Sequence, residues 1–164
     1  MNAQFPTRQN GFTLIEILVV VLIISITLGF AMMAFGDFGA HRKIRSAAEG
    51  FSQFAELVHE RALLESSTLK LQLNSTGYYV QRLSPNHQWQ ALQSSMYHLH
   101  PLPSNTFLSV SAGSSRPDQL IIIMSATGDM TPFKVYFGSP AQPRLASVVG
   151  KENGTILFQK EGTS

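Results

Sequence analysis

The stretch from Gly11 to Phe35, GFTLIEILVVVLIISITLGFAMMAF, decides the fold class of this chain. The 24 residues from Phe12 onward would form a helix about 36 Å long, enough to cross the roughly 30 Å hydrocarbon core of a bilayer with some tilt. Glu16 carries the one ionisable side chain of the stretch. A carboxylate in hydrocarbon is unfavourable unless it finds a partner, so its presence needs a reason.

Two simpler interpretations of the apolar stretch account for it incompletely. A secretory signal peptide has an apolar region of only about 7–15 residues, which is shorter than this one. A plain membrane anchor explains the length but not Glu16. Charge does not settle the orientation: Arg8 precedes the stretch, Arg42, Lys43 and Arg45 follow it, and the positive-inside rule alone would place the C-terminal side in the cytoplasm.

Composition excludes several classes of function. The 164 residues suffice for one domain of ordinary size with an appendage. The net charge is +2 on 12 basic and 10 acidic side chains, which does not indicate a nucleic-acid-binding face. The chain contains no cysteine, so disulfide frameworks, thiol catalysis and thiolate metal sites are excluded.

The segment from Arg8 to Ile26, RQNGFTLIEILVVVLIISI, resembles the N-terminus of type IV pilins and type II secretion pseudopilins. The resemblance rests on a short polar leader with Arg8, then Gly11, Phe12, Glu16 and the apolar run. In that family a prepilin peptidase cuts after the glycine, here Gly11, and methylates the new N-terminal residue, here Phe12. The resemblance therefore implies a leader peptide over residues 1–11.

The position of Glu16 gives its carboxylate a partner after such a cut. Cleavage would create a positive amine on Phe12, four residues before Glu16, and residues at i and i+4 share a helix face. In a packed filament the carboxylate could equally meet the amine of a neighbouring subunit, which is the role that the resemblance implies.

The remainder of the chain predicts a pilin-like α+β fold: a long N-terminal helix, membrane-spanning in its first half, packed on an antiparallel β-sheet domain. Residues 12–35 are predicted as the transmembrane helix, 36–65 as its amphipathic continuation and 66–164 as a periplasmic sheet domain of seven or eight strands. The continuation shows one apolar stripe, in steps of four and three residues, which we interpret as the face buried against the sheet rather than a coiled-coil seam. The stripe consists of Ile44, Ala48, Phe51, Ala55, Val58 and Ala62.

The distal sequence QLIIIMSATGDMTPFKVYFG, from Gln119 to Gly138, resembles the strand–turn–strand of the H-type minor pseudopilins of type II secretion. Trp89, after the first predicted hairpin, fits that family as well. Two features depart from it: Ser125 and Ala126 stand where the family often has Phe-Pro, and an aspartate stands where it often has glutamate. The alternative interpretation is a hairpin turn with no partner role. The matching positions are Gly128, Asp129, Thr131, Pro132 and Phe133.

No catalytic constellation is recognisable, and we expect neither an enzyme nor a cofactor. His98 and His100 in HLHP could share one face of a strand, a spacing that can hold a metal. No Asp, Glu or Cys lies near them in sequence, and a closed zinc site needs four ligands. We therefore predict no metal site there.

Two functions from different classes fit these residues. The resemblance implies a minor pseudopilin, a structural subunit near the tip of a periplasmic filament that supports export of folded proteins across the outer membrane. Its implied partners are a prepilin peptidase, other major and minor pseudopilins, an inner-membrane assembly platform and membrane lipid, with energy from a separate ATPase. The alternative is a minor type IV pilin of pilus assembly or DNA uptake. DNA binding is not favoured, because Lys151–Glu152 and Lys160–Glu161 nearly cancel in charge.

Overall fold

The computed structural model describes residues 13–92, 94, 97–112 and 118–161, with the backbone alone for 32–38 and 112. The chain separates into two compact units, Met1–Gly39 and Ala40–Ser164, which are described in turn. Within the described residues, a helix α1 (Leu14–Leu64) precedes nine strands. The strands are β1 (Leu69–Asn74), β2 (Gly77–Leu83), β3 (Trp89–Ala91), β4 (His100–Pro101), β5 (Phe107–Ala112), β6 (Leu120–Met124), β7 (Phe133–Gly138), β8 (Ala146–Gly150) and β9 (Ile156–Lys160).

The first unit contains the apolar part of α1. Leu14–Ala31 is 18 residues of helix long and apolar enough to cross a membrane, and none of it is buried within the protein. Its two hydroxyl side chains are satisfied by the helix itself: Ser25 Oγ donates to the carbonyl of Val21 at 2.8 Å, and Thr27 Oγ1 donates to that of Ile24 at 2.9 Å. This surface therefore presents apolar side chains to its surroundings, as a membrane or a packed helix bundle requires.

The second unit is built on the amphipathic half of α1. All six residues of the predicted stripe are buried, at 2% exposure or less, which confirms the predicted face. Phe51 is the centre of the packing: its ring lies 6.3 Å from that of Phe133, 5.6 Å from that of Phe137 and 5.3 Å from that of Tyr78. The stripe is mostly alanine and valine, so the backbone of α1 can approach the strands closely.

The strands form two antiparallel sheets. The first sheet has the order β3-β2-β1-β6, with β4 also paired to β2, and the second has the order β5-β7-β8-β9. In β1 the residues Leu69, Leu71 and Leu73 point inward and alternate with half-buried polar ones. The predicted α+β class, a long helix packed on antiparallel strands, is confirmed.

Two details differ from the sequence-based prediction. β6 and β7 do not form a two-stranded hairpin, because they belong to different sheets. Pairing with the end of β6 stops in the turn before β7 begins, at the isolated bridge from Met124 to Met130. The backbone N–H of Met130 instead donates to the carbonyl of Glu152 at 2.9 Å, which draws the chain towards the β8–β9 turn. The second difference is β4, which contains Pro101; a short edge strand tolerates a residue without a backbone donor.

Candidate functional site

The predicted processing and assembly residues lie at the start of the chain. Gly11 and Phe12, the predicted cleavage and methylation positions, fall outside the described residues. Glu16 lies in the first turn of α1, and it is exposed.

The start of α1 has a recognisable local cause. The backbone N–H of Glu16 donates to Oγ1 of Thr13 at 3.4 Å and to its carbonyl at 3.1 Å. Thr13 therefore occupies the N-cap position. Glu16 lies three residues later, where its negative charge interacts favourably with the positive end of the helix dipole. The Thr-x-x-Glu spacing of Thr13 and Glu16 is the signal in the sequence for this cap.

The predicted subtype motif forms an ordered turn between the two sheets. The N–H of Ser125 donates to the carbonyl of Asp129 at 2.8 Å, and the N–H of Gly128 donates to the carbonyl of Ser125 at 3.1 Å. Gly128 has φ +98°, a conformation that favours glycine. The hydroxyl of Thr127 donates to Oδ2 of Asp129 at 2.9 Å, so the acidic side chain helps to close the turn.

The second half of the motif attaches this turn to both sheets. The N–H of Ile123 donates to Oγ1 of Thr131 at 3.2 Å, and the N–H of Thr131 returns a bond to the carbonyl of Ile123 at 2.9 Å. Phe133 is buried at 2% exposure, whereas Pro132 is exposed. The five motif residues thus form one structural unit, in which the exposed Asp129 and Pro132 are the parts that a neighbouring protein could reach.

His59 of α1 holds this turn in place, a role that the sequence did not indicate. Its Nε2 lies 2.8 Å from the carbonyl oxygen of Gly128, and we assign it as the donor. A Cβ atom built on Gly154, in the β8–β9 turn, would lie 2.2 Å from Cε1 of the same ring. One helical side chain therefore touches the turn between the sheets and the turn at the end of β8. A histidine on a helix carries no sequence signal for such a contact.

Glu65, directly after α1, is the centre of a second cluster that sequence reasoning missed. Its Oε1 accepts a bond from Arg61 at 3.3 Å, and its Oε2 accepts one from Arg82 of β2. The hydroxyl of Tyr97 donates to Oε1 at 3.5 Å. Burial, followed by the negative charge of Glu65, raises the pKa of Tyr97. The cluster fastens the end of α1 to the first sheet.

The two histidines considered as metal ligands have different surroundings. His98 is exposed, whereas the ring of His100 stacks on Tyr78 at 5.1 Å with an interplanar angle of 6° and lies 4.5 Å from the ring of Phe54. Burial raises the pKa of Tyr78. Over the part of the chain that the structure describes, there is no group of three or more His, Cys, Asp or Glu side chains that could hold a metal.

Trp89 lies in β3, opposite Leu83 of β2. Nζ of Lys70 lies 4.5 Å from the centre of its ring, and burial lowers the pKa of that lysine. The tryptophan therefore lies in a short strand and makes a cation–π contact across the first sheet.

Comparisons with known proteins agree with this arrangement. A family model described as "Prokaryotic N-terminal methylation motif" matches residues 6–32. The chain is 27% identical over 140 residues to the type II secretion system protein H of Pseudomonas aeruginosa, which covers 77% of this chain and 81% of that protein. It is 24% identical over 135 residues to the protein of the same name from Escherichia coli K12. That match covers 78% of this chain and 80% of the Escherichia coli protein.

The fold has a solved counterpart. The minor pseudopilin EpsH of the type 2 secretion system of Vibrio cholerae superimposes with a TM-score of 0.62 at 20% sequence identity, covering 74% of this chain and 99% of that one. That likeness shows the shared fold, while the sequence relatives and the N-terminal motif add the subtype. Together they show that the chain has a pilin-like fold and is similar in sequence to the H-type minor pseudopilins of type II secretion.

Proposed function

We propose that this chain is a structural subunit of the pseudopilus, a short periplasmic filament, with a place near the tip of that filament. In this role it supports the export of folded proteins across the outer membrane. The observation that carries the proposal is Glu16, a lone carboxylate in the first turn of an apolar helix that leads into a pilin-like domain. A plain anchor would gain nothing from that carboxylate, whereas a subunit with a free N-terminal amine would.

The proposal includes processing and location. Residues 1–11 are removed after Gly11, Phe12 becomes the methylated N-terminus, and Glu16 pairs with a Phe12 amine of its own or of a neighbouring subunit. The apolar half of α1 spans the inner membrane once, with the second unit on the periplasmic side. The partners are a prepilin peptidase, other major and minor pseudopilins, the inner-membrane assembly platform and the surrounding lipid.

The turn between the two sheets is the proposed contact for a neighbouring pseudopilin. Asp129 and Pro132 are exposed there, and the bonds from Ser125, Thr127 and His59 hold the turn in one conformation. A contact loop held in this way loses little conformational entropy on binding.

The first test is processing together with secretion. Co-expressed with a prepilin peptidase, the chain should lose residues 1–11 and begin at N-methyl-Phe12, as measured by intact mass. Gly11→Val should block the cut, because a side chain then stands at the scissile position, and Asn10→Ala, one residue away, should not. The processed chain should also restore secretion in a host that lacks its own H-type pseudopilin.

A chain that keeps Met1 in the presence of the peptidase, or that is cut elsewhere, would contradict the processing proposal. A chain that is processed correctly but never co-purifies with other pseudopilins would contradict the filament role.

A further inference from the structure

Two cations of the second sheet share one aromatic ring on its outer face. Tyr136 of β7 points away from the core, since its neighbours Val135 and Phe137 are fully buried. Nζ of Lys134 lies 4.9 Å from the centre of the Tyr136 ring, and Cζ of Arg144 lies 4.7 Å from it. We call Lys134, Tyr136 and Arg144 the cationic cluster.

The loop between β7 and β8 positions Arg144. The N–H of Ser139 donates to the carbonyl of Gln142 at 2.8 Å, and the N–H of Leu145 donates to the carbonyl of Phe137 at 2.9 Å. The side chain of Leu145 is buried, whereas that of Arg144 is exposed. The backbone on both sides of Arg144 is therefore held, and its guanidinium remains at the surface. A partner that binds there has less conformational entropy to remove.

The charge of the cluster is not balanced by an ion pair. Neither cation has a carboxylate within ion-pair distance among the described residues, where the ion pairs are those of Glu65. The acidic side chain nearest in register is Glu161, whose Oε1 accepts a bond at 2.8 Å from Ser147, the residue opposite Tyr136. Because both cations contact one ring, they lie roughly 10 Å apart or less, a distance over which salt screens their repulsion only partly. A carboxylate from a partner would relieve that repulsion.

Apolar side chains flank the cluster on the same face of the sheet. Phe107 of β5 is 45% exposed and stands opposite Gly138, two residues along β7 from Tyr136. Leu157 of β9 is 40% exposed and stands opposite Val149, which in turn is opposite Lys134. Arginine and aromatic side chains beside exposed apolar ones are typical of a protein interface.

This combination favours a protein over nucleic acid. Binding to a DNA backbone draws its affinity from many phosphate contacts, and the cluster offers two cations. The apolar surfaces of Phe107 and Leu157 would gain nothing from a phosphate backbone, whereas they could be buried against a protein. The partner that complements this face therefore carries carboxylates beside apolar side chains.

We propose that the cationic cluster binds an acidic segment of a pseudopilin whose sequence differs from that of this chain. The inference rests on the proposed function and deepens it, since it names the chemistry by which one neighbouring subunit is recognised. The exposed Pro132 precedes Lys134 by two residues, so the cluster adjoins the turn proposed above as a contact. Complementary charges of this kind select the partner and fix its register.

A partner of different sequence fits the proposed place near the filament tip. A contact between two unlike surfaces of identical chains repeats without closing and builds a continuous filament. A subunit near the tip instead has neighbours of other sequences, and its cationic cluster then needs an acidic surface on one of them.

The test uses the full-length chain, co-expressed with the other pseudopilins of its secretion system and solubilised in a mild detergent. A photo-crosslinking amino acid replaces Gln159, which is exposed on β9 and stands opposite Ser147, the residue next to Tyr136 on β8. We expect a crosslink to a different pseudopilin, at a peptide that mass spectrometry shows to contain Asp or Glu. The same amino acid in place of Ser75, exposed in the β1–β2 turn, is the matched control and should not give this product.

Charge reversal then tests the chemistry. Lys134→Glu with Arg144→Glu should reduce the crosslink at least about tenfold. Replacing the mapped carboxylates of the partner by lysines should restore the crosslink to that variant, which a misfolded protein could not achieve. Lys151→Glu, which reverses an exposed cation in the β8–β9 turn outside the cluster, should leave the crosslink unchanged.

Competition identifies the class of ligand. A peptide of glutamates should suppress the crosslink, and a peptide of lysines of the same length should not. Raising the salt concentration from about 0.05 M to about 0.5 M should weaken the crosslink, because the charges at the surface are then screened.

Several outcomes would overturn the inference. These are a crosslink only to a second copy of this chain, a mapped peptide without Asp or Glu, a crosslink insensitive to the charge reversal, and no rescue by the reversed partner. Suppression by a DNA duplex or by anionic lipid vesicles but not by the glutamate peptide would also overturn it. If the chain is processed, co-purifies with pseudopilins and restores secretion while the crosslink at position 159 fails, this inference alone is wrong and the proposed function stands.

Discussion

At Glu16, a local backbone bond and a proposed intermolecular contact of the side chain meet in one residue. Its backbone N–H is bonded to Thr13 at the start of α1, while its carboxylate is exposed among apolar neighbours. The backbone bond and the exposed charge are separable by mutation, because a change of side chain leaves the N–H in place. Substitutions at Glu16 therefore test the charge and not the existence of the helix.

We predict that Glu16→Leu and Glu16→Gln are both processed and inserted in the membrane but poorly incorporated into the filament. Removing a carboxylate makes insertion more favourable, and the scissile bond after Gly11 precedes the substitution. The Phe12 amine would then lose its partner in a low-dielectric setting, where an unpaired ion costs several kcal/mol in order of magnitude. The measurement is crosslinking or co-purification with partner pseudopilins, alongside secretion.

Ser25→Ala is the matched control for Glu16. Ser25 is also polar and in the same segment, but its hydroxyl is satisfied by the carbonyl of Val21, so its loss should leave incorporation unchanged. If both Glu16 variants are incorporated normally, then Glu16 does not act through charge pairing.

For helices and strands, the spacing of apolar residues predicted which face of each element is buried, but not which elements lie next to each other. The stripe on α1 and the alternation in β1 follow from spacings of 3.6 and 2 residues, and both are present in the structure. β6 and β7 belong to different sheets, and Met130 between them is bonded to Glu152. No pattern in the sequence marks a partner so far along the chain. The same applies to His59, whose contacts come from two distant turns.

The junction of α1 with the two turns gives a prediction at Gly154. Gly154→Ala should lower the free energy of unfolding by about 1–3 kcal/mol, because φ there is +82° and the new Cβ would overlap the ring of His59. The measurement is urea denaturation followed by the fluorescence of Trp89. Adding His59→Ala should recover the part of the lost stability that is due to overlap of the new Cβ with the His59 ring. The part that is due to the positive φ of residue 154 should remain.

Gly50→Ala is the control, for which we expect a change of opposite sign in the free energy of unfolding. Gly50 lies inside α1, and a Cβ there would meet nothing within 4 Å. Alanine should therefore stabilise the helix by about 0.5–1 kcal/mol. A Gly154→Ala protein as stable as the parent would show that the β8–β9 turn is not tightly held against α1.

For the whole molecule, the division into Met1–Gly39 and Ala40–Ser164 separates the apolar helix surface from the buried core. The core residues, from Ile44 of α1 to Ile156 of β9, all lie in the second unit. The composition change after Phe35 was evident in the sequence, so this division was accessible without a structure. The two-sheet arrangement of the second unit was not.

We predict that a fragment starting at Ala40 is soluble without detergent and folds with both helix and strand. It retains the whole buried stripe of α1 and both sheets, and it lacks the segment Leu14–Ala31. Circular dichroism and a cooperative urea transition are the measurements. A fragment starting at Leu14 should require detergent, and aggregation of the Ala40 fragment under all mild conditions would contradict the two-unit description.

The cap at Thr13 bears on what the proposed cut would change. Within the described residues α1 begins at Leu14, and its first turn is closed by bonds from the N–H groups of Glu16 and Ile17 to Thr13. The proposed cut leaves all of these residues in the product. The product would lose residues 1–11 and would carry an ammonium group on Phe12 in place of a neutral peptide group, four residues before Glu16. The leader would then withhold this proposed partner of Glu16 until the peptidase removes it.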